Sequence, residues 1–105
     1  MNRKMILVYI TNPDKKIALK VSRYLLEKRL AACINIFKIQ SLYWWKGKIE
    51  NTGEYIVIAK TIDKNYSKIE KEIRKIHPYT VPCILKIKVD KVNKDYLEWL
   101  IESLK

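Results

Sequence analysis

Glycine, histidine and cysteine are scarce in these 105 residues: two glycines (Gly47 and Gly53), one histidine (His77) and two cysteines (Cys33 and Cys83). Two separated glycines cannot build a Gly-rich phosphate loop, which needs several backbone amides turned toward one anion. Cysteines fifty residues apart do not have zinc-ligand spacing. Ser22, Ser41, Ser67 and Ser103 stand in no nucleophile-elbow context, and a single histidine leaves little for acid–base work. The inventory therefore points away from an enzyme. No apolar run approaches the roughly 18 residues of a membrane-spanning helix. The opening "MNRKMILVYITNPD" has too short an apolar run for a secretory leader, so cytoplasm with free thiols is expected. No Gly/Ser/Pro tract marks a linker, and 49% hydrophobic residues suffice for one core, so a single domain over 1–105 is expected.

A formal charge of +11 raises the question of nucleic acid, because clustered cations release counterions from phosphates. These charges are spread along the chain, lysine outnumbers arginine, and glutamate is interleaved, as in "KIEKEIRK". A solvated surface explains them, and nucleic acid and membrane are both disfavoured as partners.

"MILVYIT" (Met5 to Thr11) is a continuous branched run that reads as a strand buried on both faces. Asn12 as cap and Pro13 as first residue then open a helix. Ile17, Val21, Tyr24 and Leu25 carry it at helical spacing to about Lys28 or Leu30. From Ala32 the period falls to two, placing Ile34 and Ile36 on one face and Cys33, Asn35 and Phe37 on the other. The strand persists through "SLYWW", and after "KGK" a second run from Ile49 through "YIVIAKTI" folds back as a hairpin, with Gly53 as a natural bulge site. Asp63 can cap a helix carrying Tyr66, Ile69, Ile73 and Ile76, which Pro78 ends. "PCILKIKV" alternates, with Cys83, Leu85, Ile87 and Val89 expected inward and Lys86 and Lys88 outward. Asn93 caps a last helix bearing Leu97, Leu100, Ile101 and Leu104.

The order strand, helix, strand, strand, helix, strand, helix predicts an α+β ferredoxin-like sandwich (βαββαβ plus a C-terminal helix) with an antiparallel sheet. Its hairpin arms, about 12 to 15 residues each, would span on the order of 40 to 50 Å. A compact chain of this size has a radius of gyration near 13 Å, so the hairpin must overshoot its core. The overshooting part carries Leu42, Tyr43, Trp44 and Trp45, an apolar group that marks a partner surface, and a symmetric homo-oligomer covers it economically.

For chemistry there remain the soft ligands His77, Cys33 and Cys83, which suit copper or zinc. Each cysteine is better read as a packed thiol, while His77, at a helix end, is open to capping or to metal binding. Tyr43, Trp45, Tyr79 and Trp99 either line a small-molecule cleft or fill a subunit interface, the interface being preferred.

"KRLAACINI" (Lys28 to Ile36), "SLYWWKGKIE" (Ser41 to Glu50), "IAKT" (Ile58 to Thr61), "IHPYTVP" (Ile76 to Pro82) and "DYLEWL" (Asp95 to Leu100) together resemble, in order and across essentially the whole chain, the CutA divalent-cation tolerance proteins. The resemblance implies a ferredoxin-like homotrimer, similar in shape to the PII signalling proteins. It also implies a role in tolerance to copper and other divalent cations. A cleft between subunits is implied at Tyr43, Trp45, Lys60, His77, Tyr79 and Trp99. The chain departs from the family pattern in three places. Copper-binding members have a cysteine at the position of Ile10 and a second histidine at that of Ile76, and a glutamate commonly stands where Cys83 is. The expectation is thus a non-enzymatic cytoplasmic trimer that requires no cofactor and holds copper(II) weakly, with His77 as main ligand. The alternatives are a PII-like sensor taking a small anionic ligand near Lys60 and His77, and an RNA-binding protein.

Overall fold

The computed structural model describes residues 4–105. Met1–Arg3, part of the expected domain and of the stretch read for a leader, lie outside the described residues. The elements run β1 (Met5–Asn12), α1 (Lys15–Glu27), β2 (Cys33–Trp45), β3 (Lys48–Ile62), a 3-10 turn (Asp63–Asn65), α2 (Tyr66–Ile76), β4 (Ile84–Lys88) and α3 (Lys94–Ser103). The four strands form one antiparallel sheet in the order β2-β3-β1-β4, the arrangement expected of a ferredoxin-like sandwich. Among the described residues no helix is long and apolar enough to cross a membrane.

The core forms where β1 and β3 present one face to α1 and α2. Ile6, Val8 and Ile10 of β1 and Val57 and Ala59 of β3 pack against Ala18, Val21 and Leu25 of α1 and Ile69 and Ile73 of α2. These apolar positions recur at two-residue spacing in the strands and helical spacing in the helices, which is what turns one stripe of each element inward. A second cluster, Met5, Ile62 and Leu100, closes the far end of the sheet beneath α3.

Three local expectations are corrected. Asn12 does not cap α1: it is the last residue of β1, opposite Tyr55 and fully buried. The cap is Asp14, whose Oδ1 accepts the Ile17 amide at 2.8 Å; α1 then ends at Glu27, with Arg29 in the left-handed region at φ 58°. Gly53 makes no bulge, since β2 and β3 pair without a break from Cys33 opposite Lys60 to Trp45 opposite Lys48. Positive φ at Lys46 (50°) and Gly47 (78°) gives this ladder a two-residue turn of the kind that matches strand twist. In β4 the expected faces are reversed. Ile84, paired with Ile10, packs on the helix-side core, whereas Leu85 and Ile87, 47% and 40% exposed, look onto the opposite face. Lys86 reaches the helix side at the sheet edge, where its ammonium meets Asp63 at 2.8 Å and lies 5.6 Å from the Tyr66 ring centre.

Because β1 stops at Asn12 opposite Tyr55, the hairpin beyond that pair has no third strand beside it. The chain is 45 Å long and 25 by 21 Å across, the overshoot expected from arm length. Trp44 at the tip is 72% exposed.

Candidate functional site

Alternation along the hairpin sets Ile39, Ser41, Tyr43 and Trp45 of β2 and Glu50 and Glu54 of β3 on the sheet face that α1 and α2 leave uncovered. With Tyr9 and Thr11 of β1 they floor a cleft of about 880 Å³. Its wall is the segment between α2 and β4, Pro78 to Val81 and Cys83.

His77 fixes that wall. Pro78 follows it, and a residue before proline is held out of the helical region; His77 accordingly leaves α2 with an extended backbone at φ −82°, ψ 136°. Its ring turns inward, nearly buried. Nδ1 accepts the Tyr79 amide at 3.1 Å, so the proton sits on Nε2, which donates to the Thr11 carbonyl at 2.9 Å and also lies 3.2 Å from Asn12 Oδ1. Asn12 in turn donates to the carbonyls of Ile10 and Tyr55, each at 3.1 Å. Tyr79 stands edge-on to the imidazole, ring centres 4.9 Å apart, and donates its hydroxyl to Glu54 Oε2 at 2.5 Å. Burial first, then the Glu54 carboxylate, push the Tyr79 hydroxyl well above the ordinary tyrosine range, so it remains a donor. The chain Asn12–His77–Tyr79–Glu54 ties the end of α2 to β1 and β3.

Burial holds the His77 imidazole below its ordinary pKa, against the opposing pull of the Thr11 carbonyl and Glu54. The folded protein therefore favours neutral His77 more than the unfolded chain does. Its contribution to stability is complete above the unfolded pKa, about 6.5, and is lost as pH falls through the lower folded value. Midpoints of urea unfolding should fall between about pH 7 and 5, and His77→Gln should flatten that slope. A second loss begins lower, near the ordinary glutamate value of 4.5, because the Tyr24 hydroxyl and Lys75 hold Glu72 down to about 2. An unchanged slope in His77→Gln would remove His77 as its cause.

The six residues expected in one cleft fall into two groups in a single chain. Tyr43, Trp45 and Tyr79 line the cleft, with His77 behind its wall. Lys60 and Trp99 lie at the other end of the sheet, where the Lys60 ammonium is 5.5 Å from the Tyr96 ring centre and Tyr96 packs on Trp99, centres 5.3 Å apart. Glu50, opposite Tyr43, is about ten residues from Lys60 along β3, roughly 33 Å. Cys33 lies near the Tyr96 hydroxyl at that far end, whereas Cys83 lines the cleft, so the two free thiols and His77 do not converge. No group of three His, Cys, Asp or Glu side chains among the described residues could hold a metal ion. Sequence reading missed Asn12, Glu54 and Tyr96. The period-two phase that sets Tyr43 and Trp45 on one face, carried across the ladder, would have found Glu54.

The sequence model of the CutA1 divalent ion tolerance protein matches residues 6–103. The chain is 48% identical over 100 residues to the divalent-cation tolerance protein CutA of Thermotoga maritima, covering 95% of this chain and 99% of that one. It is also 48% identical over 101 residues to that of Pyrococcus horikoshii, covering 96% and 99%. Among solved structures, the periplasmic divalent cation tolerance protein CutA of Archaeoglobus fulgidus superposes with a TM-score of 0.94 at 40% identity, covering 96% of this chain and 99% of that one. That periplasmic relative overturns the cytoplasmic expectation. The expectation rested on a short apolar run and unpaired thiols, and neither property fixes a compartment. Ladder, hairpin and sequence agree over nearly the whole length: the chain belongs to the CutA1 divalent ion tolerance protein family.

Proposed function

We propose that this chain serves divalent-cation tolerance as a non-enzymatic homotrimer with a cleft at each subunit boundary. The observation that carries the reading is the apolar surface a single chain leaves open. Phe37, Leu85 and Ile87 are each at least 40% exposed on the sheet face away from α1 and α2, and Leu42, Trp44, Trp45 and Ile49 are exposed on the hairpin. β2 is moreover a sheet edge of 13 residues, a length that natural proteins cover or pair. The split of the six expected cleft residues supports an assembly in which one subunit completes the site of another. Tyr43 and Trp45 meet Lys60 and Trp99 in one site only when the hairpin of one subunit reaches the α3 end of the next. Such a contact can repeat around a closed ring as well as pair two copies, and three is the ring size that the resemblance implies.

Copper(II) belongs to the proposal in a weak form. An ion at His77 must displace the Tyr79 amide from Nδ1, a bond worth about 1 kcal/mol, and water or a neighbouring subunit supplies the remaining ligands. Calorimetric copper titration of the trimer is expected to show weak binding that declines below about pH 6, as the imidazole takes up its proton, and disappears in His77→Ala. Equal binding by wild type and His77→Ala would take His77 out of any metal site. The sensor reading with an anionic ligand is less well supported. Lys60 already lies over the Tyr96 ring, and within one chain the cleft lining contains two glutamates and no lysine or arginine.

A further inference from the structure

The sheet face that α1 and α2 leave uncovered separates its charges. Residues opposite one another in a ladder share a face, so the phase of each strand on that face follows from the register. In the β2–β3 hairpin its charged side chains are Glu50 and Glu54 in the overshooting half, Lys48 at the turn and Lys60 at the α3 end. The same phase of β1 is Met5, Leu7, Tyr9 and Thr11, and that of β4 is Leu85 and Ile87, all uncharged. Glu54 is 5% exposed, and Lys60 is half-buried beside the Tyr96 ring. Neither makes an ion pair with any described residue. A buried carboxylate is costly unless an opposite charge completes it. Six positions apart on β3, the two stand about 20 Å from each other, too far to serve one another within a chain.

We propose that Lys60 of one subunit supplies the counter-charge to Glu54 of the next, as an ion pair buried at the subunit boundary. The inference rests on the assembly proposed above and names the contact that sets its register. Laying two hairpin halves together would oppose glutamate to glutamate, and laying two α3 ends together would oppose Lys60 to Lys60. Such like-charge contacts reject a wrong alignment, whereas a hairpin half laid on an α3 end brings opposite charges together. Fixing registry is the best-attested use of a buried polar or ionic group, which is weak evidence for net stability. Glu54 is the partner in preference to Glu50, which is exposed in the single chain. The Glu54 carboxylate is already oriented by the Tyr79 hydroxyl at 2.5 Å, on a wall that His77 fixes to β1. One member of the pair is thus held in place before the subunits meet, which lowers the entropic cost of the contact.

The test is subunit exchange between two differently labelled samples of the native assembly, followed by fluorescence energy transfer in urea below the unfolding range. Sedimentation of each sample records its mass independently. Lys60→Met should speed exchange about tenfold or more, because truncating one partner of a buried charge pair acts on dissociation. Lys60→Arg, which keeps the charge, should stay closer to the wild type than to Lys60→Met. Glu54→Gln, which keeps an acceptor for Tyr79, should also speed exchange. The double variant Glu54→Gln/Lys60→Met should exchange more slowly than the product of the two single effects predicts. Substitutions more than about 7–10 Å apart with no shared partner act additively, so coupling between these two positions reports a contact between chains. If Glu54→Gln fails to fold by circular dichroism, the contrast of Lys60→Met with Lys60→Arg carries the test. Additive effects in the folded variants overturn the pair, as does wild-type exchange in Lys60→Met or equal acceleration in Lys60→Met and Lys60→Arg. Those results at an unchanged trimer mass refute the ion pair alone; a monomer mass for the wild type refutes the assembly reading and the pair with it.

Discussion

Leu85→Glu and Ile87→Glu are each expected to yield a folded monomer in place of the assembly. Both side chains lie on the open sheet face, at 47% and 40% exposure in the single chain, so a glutamate there remains solvated when the chain is alone. In the assembly the same carboxylate would be buried without a partner, which costs several kcal/mol per subunit and is repeated at every boundary of a symmetric ring. Circular dichroism should therefore stay native while sedimentation falls to the monomer mass of 12.6 kDa. Lys20→Gln, an equal charge change on the exposed side of α1, should leave the assembly intact. Unchanged mass in Leu85→Glu and Ile87→Glu would place the interface elsewhere.

Asn12→Leu should be the most damaging substitution within a single subunit. Asn12 is fully buried, and its amide serves the carbonyls of Ile10 and Tyr55 while its oxygen faces His77 Nε2. Leucine keeps a similar volume but leaves these groups with a bond missing, each unsatisfied buried group costing about 1–3 kcal/mol. A loss of about 3 kcal/mol is expected, read as a lowered urea midpoint at unchanged slope. The Tyr79 wall should loosen at the same time, since Asn12 and the Thr11 carbonyl anchor the ring that holds it. A loss below about 1 kcal/mol would show that these bonds are replaced by water and that the wall is not fixed from β1.

Where one phase of a segment is apolar and the other polar, the fold was legible in the sequence. The stripe of α1 and the hairpin alternation are of that kind, and the hairpin's excess length followed from its count of residues. β4 was misread because both phases of "PCILKIKV" contain apolar residues. The lysines then suggested a wet face, whereas Lys86 reaches Asp63 at the sheet edge with its stem along the helix side. Asn12 was misread because Asn-Pro-Asp offers two cap residues, and only the ladder to Tyr55 shows that the first is still strand. Of the candidate site, the aromatics and His77 were identifiable as residue types. Their division between two ends of the sheet was not, because it depends on the pairing register. Glu54 was indistinguishable from any surface glutamate until Tyr79 was seen to bury it.

The account rests on the claim that the hairpin and the open sheet face are covered by other copies of this chain. Sedimentation equilibrium of the wild-type protein at micromolar concentration tests it most directly. The expected result is a single species of about three times the chain mass of 12.6 kDa, independent of concentration over that range. A species of 12.6 kDa would contradict it, leaving Trp44, Leu85 and Ile87 in water and the six cleft residues at opposite ends of one molecule.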